Sequence, residues 1–299
     1  MRFELDDDQR DFAGALESLL ANADTVGAAR AWADGDHAPG LKLWARLAEL
    51  GVTQLAAEAS AVEVVIAFEA LGRHAVPGPW VESAAYLPVA LGHEVAGIAT
   101  VALPPVVPYA LDADVADRVY VGSDDSIDEA EVGEMVGSVD RTRRLFHVTG
   151  VSRLAPLAPR PPVPAFDLAV LATAAELLGA GERILHDTVA YAGQRTQFGR
   201  PIGSYQAIKH ALADVRIALD FARPLVLGAA LGEVPASAAK VACADAAYLS
   251  SRTGLQVHGA VGYTQELDLS LWLTKVRALV TAWGTPAFHR ARVLEGLVG

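Results

Sequence analysis

The chain has 299 residues, is 52% hydrophobic and 20% charged, and carries a formal net charge of -12 at pH 7. That much apolar material excludes a disordered chain and suffices for one large or two smaller packed cores. The basic residues form no run, which argues against nucleic acid as a partner.

Cys243 is the only cysteine, so an internal disulfide and a thiolate metal cluster are both excluded. The opening MRFELDDDQRDF is acidic and lacks the basic flank and apolar run of a secretory leader. No apolar run approaches the ~20 residues that span a bilayer. These features lead to the expectation of a cytoplasmic protein without membrane contact.

Residues 1–96 read as a helical domain. Phe12, Leu16, Leu19 and Leu20 recur at helical spacing behind Asp6, Asp7 and Asp8, whose charge suits a helix N-terminus. A second stripe, Trp44, Leu47 and Leu50, stops at Gly51. A third, Val62 to Leu71, stops at Gly72 and is followed by the turn-rich HAVPGPW. All three stripes read as core packing.

Residues 97–164 read as a shortened β domain with a linker. Ile98 to Leu103, Arg118 to Val121 and Leu145 to Val151 are short β-prone runs separated by turns. The acidic stretch Asp124 to Glu134 reads as a solvated loop or edge. Neither GxGxxG nor GxxxxGK[ST] occurs, so there is no case for a dinucleotide fold or P-loop. APLAPRPPVP, with five prolines, reads as a stiff linker and the clearest boundary.

Residues 165–299 read as a four-helix bundle. Asp167 is placed to cap a helix reaching about Gln194. Along it Leu168, Leu171, Ala175 and Leu178 share a face, and Glu182/His186 and Arg183/Asp187 are paired at i,i+4. A second helix starts after Ser204, its expected cap, with Ile208, Leu212, Val215 and Leu219 inward and Pro224 as a kink or stop. A third, from about Ala236 to Gln256, is lined with Ala and Ser. A fourth, capped by Asp268, buries Leu269, Trp272, Val276 and Leu279.

The stretch YAGQRTQFGRPIGSYQAIKHALAD, Tyr191 to Asp214, joins the first two bundle helices through Gly199, Pro201 and Gly203. It offers Arg195, Gln197, Gln206 and a helix N-terminus, which suit an anionic ligand such as a pyrophosphate. The same residues also fit an ordinary helix connection with a solvated arginine.

This stretch resembles the Arg, Gln-Phe-Gly and Gln signature of the acyl-CoA dehydrogenase family. Gln256-Val-His-Gly-Ala-Val-Gly-Tyr-Thr264 is similar to that family's Gln-x-His-Gly-Gly-x-Gly-Tyr segment. Weaker likenesses lie in Phe68-Glu-Ala-Leu-Gly-Arg73 with Pro77 and Pro79, and in Trp44 to Gly51. The resemblance implies a mainly α fold: an N-terminal helical domain, a middle β domain and a C-terminal four-helix bundle, assembled as dimers or tetramers that bind FAD. It further implies that Arg195, Gln197, Phe198, Gln206, Gln256, His258 and Gly259 contact the FAD of a neighbouring subunit, the last two through backbone. A guanidinium fork suits a pyrophosphate, and glycine admits close backbone approach.

The family removes a proton next to a thioester carbonyl with a carboxylate and passes a hydride to flavin. Here Trp283, in Thr281-Ala-Trp-Gly-Thr-Pro-Ala287, stands where the resemblance puts the usual Glu. Ala169 stands at the alternative position. Neither side chain accepts a proton, and losing a general base costs roughly 100- to 10,000-fold in rate. The Thr-Glu-Pro and Trp-Ile-Thr/Ser segments that hold the flavin ring are not found between Gly97 and Pro164. Ala260 and Thr274-Lys275 depart from the usual Gly and Arg-Asp.

These departures lead to the expectation of a subunit of a heteromeric acyl-CoA dehydrogenase, completing an FAD site without its own base. A second acyl-CoA dehydrogenase-like chain would supply the base, the ring contacts and most of the cleft. Such paired chains resemble those of actinobacterial steroid degradation, which implies a steroid-derived acyl-CoA. The alternatives are a homo-oligomeric dehydrogenase with an atypical base such as Glu266, a flavin monooxygenase or nitroalkane oxidase of the same fold, and a scaffold without flavin contact.

Overall fold

The structure is a computed structural model that describes residues 3–123, 126–156 and 164–298. Seven stretches of helix come first: α1 (Asp7–Ala21), α2 (Thr25–Ala33), α3 (Ala38–Glu49), α4 (Leu55–Glu58), α5 (Ala61–Arg73), a π-helical turn (Val81–Tyr86) and α6 (Leu87–Leu91). α1 and α5 begin with complete capping boxes, Asp6 with Gln9 and Ser60 with Glu63, so their starts are fixed by local sequence. The stripes expected on α1, α3 and α5 face the core: Leu16, Leu20, Leu47, Phe68 and Leu71 are all buried.

Gly72 does not stop α5, which runs on to Arg73. It is a crossing point instead. A Cβ built on Gly72 would lie 2.7 Å from the backbone carbonyl carbon of Glu176, and one on Gly179 would lie 2.9 Å from the backbone nitrogen of Arg73. The two glycines let α5 and the first bundle helix meet backbone to backbone.

β1 (Ala99–Ala102), β2 (Ala110–Leu111), β3 (Arg118–Gly122), β4 (Ser126–Val136) and β5 (Leu145–Pro156) form one sheet in the order β1-β3-β4-β5-β2. β1 and β3 are parallel; β3 with β4, β4 with β5 and β5 with β2 are antiparallel. The acidic stretch is therefore not a loop over its described part. It is β4, paired on both sides at residues 127–129 and with β5 alone from Ala130 on, where residues 131–134 form an exposed edge. Composition misled because Glu131 and Glu134 occupy its exposed end while Ser126 and Ile127 are buried. Residues 124–125 and 157–163, the latter holding most of the proline-rich stretch, lie outside the described residues.

The bundle comprises α7 (Ala165–Gln194), α8 (Gln206–Ala230), α9 (Ala236–His258), α10 (Leu269–Leu279) and a fifth helix, α11 (Pro286–Val298). Between α7 and α8 lies a small ribbon of β6 (Thr196–Gln197) and β7 (Arg200–Pro201). Several local expectations at helix ends are corrected. Pro164 rather than Asp167 is the N-cap of α7, and the Asp167 carboxylate instead pairs with Arg292 at 2.8 Å. Tyr205 rather than Ser204 precedes α8, because the Ser204 hydroxyl donates to the Pro201 carbonyl. Asp268 does precede α10, but its carboxylate accepts from Arg30. Pro224 does not end α8, which continues six residues beyond it to Ala230.

Arg183 and Asp187 pair as expected at 2.7 Å, but Glu182 does not reach His186. It accepts both arms of Arg216, each at 2.7 Å, and Arg223 at 3.1 Å. Burial would raise the Glu182 carboxyl, but these guanidiniums outweigh it and hold it below the usual carboxylate range. Arg223 also binds Glu69 of α5, so this network ties the N-terminal helices to the bundle. Trp272 adds to the tie. Its Nε1 donates to the carbonyls of Gly72 and Arg73, which the C-terminus of α5 leaves without helical partners.

Candidate functional site

The sequence-predicted residues gather at one end of the bundle. α7 and α9 run side by side in the same direction: a Cβ on Gly181 would meet Ala247, and one on Gly254 would meet Ile184 and Thr188. Tyr191 near the end of α7 stacks on His258 at the end of α9, with ring centroids 4.2 Å apart. Arg195 caps the C-terminus of α7, and Gln206 opens α8. The structure thus brings the two sequence motifs together.

Most of these side chains face outward. Arg195, Gln197, Gln206 and Gln256 are exposed. Phe198, at φ 52° at the tip of the ribbon, is 91% exposed. Among the described residues Arg195 is in no ion pair, which leaves its fork available to an anion. The His258 ring is not available: it is buried, stacked on Tyr191, and its Nδ1 lies 2.8 Å from the Gly254 carbonyl. What His258 and Gly259 can offer is backbone. Gly259 has φ 61° and ψ -136°, a conformation that side chains disfavour. The donor set, an arginine, amides and backbone beside a helix N-terminus, fits a pyrophosphate.

A cavity of about 650 Å³ lies at the other end of the molecule's long helices. Its walls come from the π-helical turn (Glu82), the segment joining β1 to β2 (Pro105 to Tyr109), the approach to β5 (Val139, Arg143) and the end of α10 with the turn beyond it (Arg277 to Thr285). Its placement follows from Lys240, near the start of α9, whose ammonium donates to the carbonyls of Leu279 and Val280 at the end of α10. Lys240 and His258 are about 27 Å apart along α9, at 1.5 Å per residue. The exposed motif end and the cavity are therefore on opposite ends of the bundle.

Trp283 closes one side of this cavity. It is 1% exposed, with φ 55°, and packs against Tyr86 and Phe166 at ring distances of 5.1 and 5.9 Å. Its Nε1 donates to Glu82 Oε1 at 3.1 Å. Ala169 is fully buried inside α7, and its carbonyl accepts from Thr173. Glu266 is exposed and does not line the cavity; it sits beside Arg30, which donates to its backbone carbonyl. Sequence reasoning passed over Glu82. The one signal for it was an acid inside the otherwise apolar run Trp80 to Tyr86.

His289 pins the turn that carries Trp283. Its Nε2 lies 2.9 Å from the Trp283 carbonyl and its Nδ1 3.0 Å from the Ser237 hydroxyl, a pattern a neutral ring satisfies by donating from Nε2 and accepting at Nδ1. Burial and then nearby Lys240 push this histidine down from 6.5 to about 4. The unfolded chain takes up that proton first, so the stability it contributes is complete above pH 6.5 and is lost as pH falls through about 4. Urea midpoints are expected to fall across that window, and more shallowly in His289→Gln.

Comparison with known proteins places this arrangement. The family described as acyl-CoA dehydrogenase, C-terminal domain, matches residues 164–298. Acyl-CoA dehydrogenase IpdE2 of Mycobacterium tuberculosis is 32% identical over 282 residues, covering 87% of this chain and 88% of that protein. IpdE2 of Mycolicibacterium smegmatis is 31% identical over 214 residues, 69% of this chain and 65% of that protein. Among solved structures, the ChsE4-ChsE5 complex from Mycobacterium tuberculosis matches with a TM-score of 0.81 at 21% identity, over 99% of both chains. Butyryl-CoA dehydrogenase from Megasphaera elsdenii matches with a TM-score of 0.81 at 18% identity, over 100% of both. At those identities the two structures establish the fold: mainly helical with a small sheet.

Proposed function

This chain belongs to the acyl-CoA dehydrogenase family, and on that premise we propose that it is one subunit of a heteromeric enzyme that desaturates an acyl-CoA thioester between its α and β carbons. In this reading Arg195, Gln197, Phe198, Gln206 and Gln256, with the backbone at His258 and Gly259, complete the FAD site of a second, similar chain. Bound FAD would accept the hydride; the base that removes the α-proton would come from the companion. A steroid-derived acyl group is the substrate class we assign. The domain division at residues 96/97 and 164/165 belongs to the same proposal.

The observation that carries this reading is the separation of the two ends. The outward-facing motif lies about 27 Å along α9 from the level of this chain's own cavity. Two separated surfaces on one chain fit a subunit that lines a cleft at one end and meets a cofactor held by a second chain at the other. The buried indole of Trp283 and the buried methyl of Ala169 support the absence of a base at both usual positions. The chain's own cavity is its share of the cleft in this reading, the companion supplying the rest.

The test is to purify the chain alone and together with candidate acyl-CoA dehydrogenase-like companion chains from the same genome, and to measure flavin absorbance against protein. The expected result is no flavin in the chain alone and one FAD per heterodimer in the pair, with Arg195→Ala lowering that content at least tenfold, the loss of about 1.4 kcal/mol or more of a charge-assisted contact. Yellow, active protein from this chain alone would overturn the proposal.

A further inference from the structure

We infer that Glu82 reads an oxygen substituent, a keto or hydroxyl group, on the acyl part of the ligand that fills the cavity beside Trp283. The inference rests on the acyl-thioester reading above and adds to it a residue that selects among such thioesters.

Glu82 is 2% exposed and lines the cavity. Its Oε1 is fixed by the Trp283 indole, and its Oε2 is buried without a hydrogen-bond partner among the described residues. A buried unpaired polar atom costs about 1–3 kcal/mol; Asp112, Asp128 and Asp140 also leave one oxygen unpaired among the described residues, but none of them lines the cavity. Here one oxygen is positioned and the other is left over, on a residue that lines about 650 Å³ of space. The surrounding wall is largely apolar: Pro105, Val107, Leu111, Val139, Ala278 and Ala282. A volume of that order takes a compact organic group. These residues suit a hydrocarbon body; Arg143, Arg277 and Thr281 also reach the wall, and Glu82 is the carboxyl among its polar groups.

The chemistry of that carboxyl follows from its surroundings. Burial raises the Glu82 carboxyl above its ordinary range, opposed by the charge of Arg143, and nearby Glu176 raises it further. The protonated acid has an O–H to donate, which a keto oxygen accepts. A hydroxyl satisfies either protonation state.

A ligand that pairs the free Glu82 oxygen is preferred over the analogue that cannot, because the buried polar atom is then left unpaired. The test is isothermal titration with cyclohexanecarbonyl-CoA, its 3- and 4-oxo forms and its 3- and 4-hydroxy forms. It is run on the full chain alone and on the co-purified pair, and needs neither turnover nor flavin. At least one oxygenated thioester is expected to bind about tenfold tighter than the plain one, equivalent to about 1.4 kcal/mol. Glu82→Met should abolish that preference. Glu82→Gln, whose amide can still accept from Trp283 and donate to a ketone, should retain preference for the oxo form. Equal affinities in the wild-type chain, no binding of any of the five, or a preference that survives in Glu82→Met would each overturn the inference. FAD content of the pair is measured separately, so failure here is distinct from failure of the subunit reading.

Discussion

Gly179→Ala is expected to lower stability by about 3 kcal/mol, the upper part of the range for overpacking a core. The added methyl would fall 2.8 Å from the backbone carbonyl carbon of Glu69 and 2.9 Å from the backbone nitrogen of Arg73. Both are helix backbone, held by their own hydrogen bonds, so neither can swing aside as a flexible side chain does. Relief requires α5 and α7 to separate, which also strains the Trp272 bonds to Gly72 and Arg73 and the Arg223 bonds to Glu69 and Glu182. Gly193→Ala is the matched control on the same helix. Nothing lies within 4 Å of its added Cβ, and alanine has the better helix propensity, so it should be neutral or stabilise by up to about 1 kcal/mol. Urea unfolding at unchanged m-value reads both. Equal midpoints for the two variants would show that α5 and α7 do not cross at these glycines.

Trp283→Ala should cost about 3–5 kcal/mol, the usual loss for truncating a buried large aromatic. Three contributions combine. The packing against Tyr86 and Phe166 disappears, a void opens into a cavity that already exists, and the Glu82 carboxyl loses the one partner it has. Trp283→Phe separates these. It retains most of the ring contact and gives up the indole N–H, so about 1–2 kcal/mol is expected. If Trp283→Ala unfolds at the wild-type denaturant concentration, the indole does not bridge the π-helical turn and the end of α10, and the cavity wall described above is wrong. Neither variant depends on flavin or on a companion chain, so both report on this chain's architecture alone.

The contrast between those two residues and the surface motif bears on how the site is divided. Gly179 and Trp283 act inside the chain. Phe198 and Arg195 face away from it, and their variants should leave unfolding nearly unchanged while altering assembly and cofactor content. Exposed Tyr263, on the segment that follows α9, extends the same outward-facing end.

Periodicity and short-range signals in the sequence determined the helices with one apolar face, the β-prone runs and the order of the domains. They did so because the capping boxes of α1 and α5 and the stripes of α3, α8 and α10 are local patterns, each set within a few turns of chain. The two C-terminal motifs were legible for the same reason, and the missing acids at 283 and 169 could be noticed by position alone. Only the tertiary structure decided which polar groups find partners. Gly72 read as a stop until α7 was seen pressed against it; Asp167 and Asp268 read as caps until Arg292 and Arg30 were found 2.8 Å from their carboxylates; the acidic stretch read as a loop or edge until pairing with β5 made it a strand. The acid at Glu82 inside an apolar stretch was a weak local signal, since its meaning depends on an indole 201 residues away and on an oxygen that pairs with none of the described residues. Backbone propensity is written within a few residues, whereas burial and hydrogen-bond satisfaction are properties of what the fold brings next to a group.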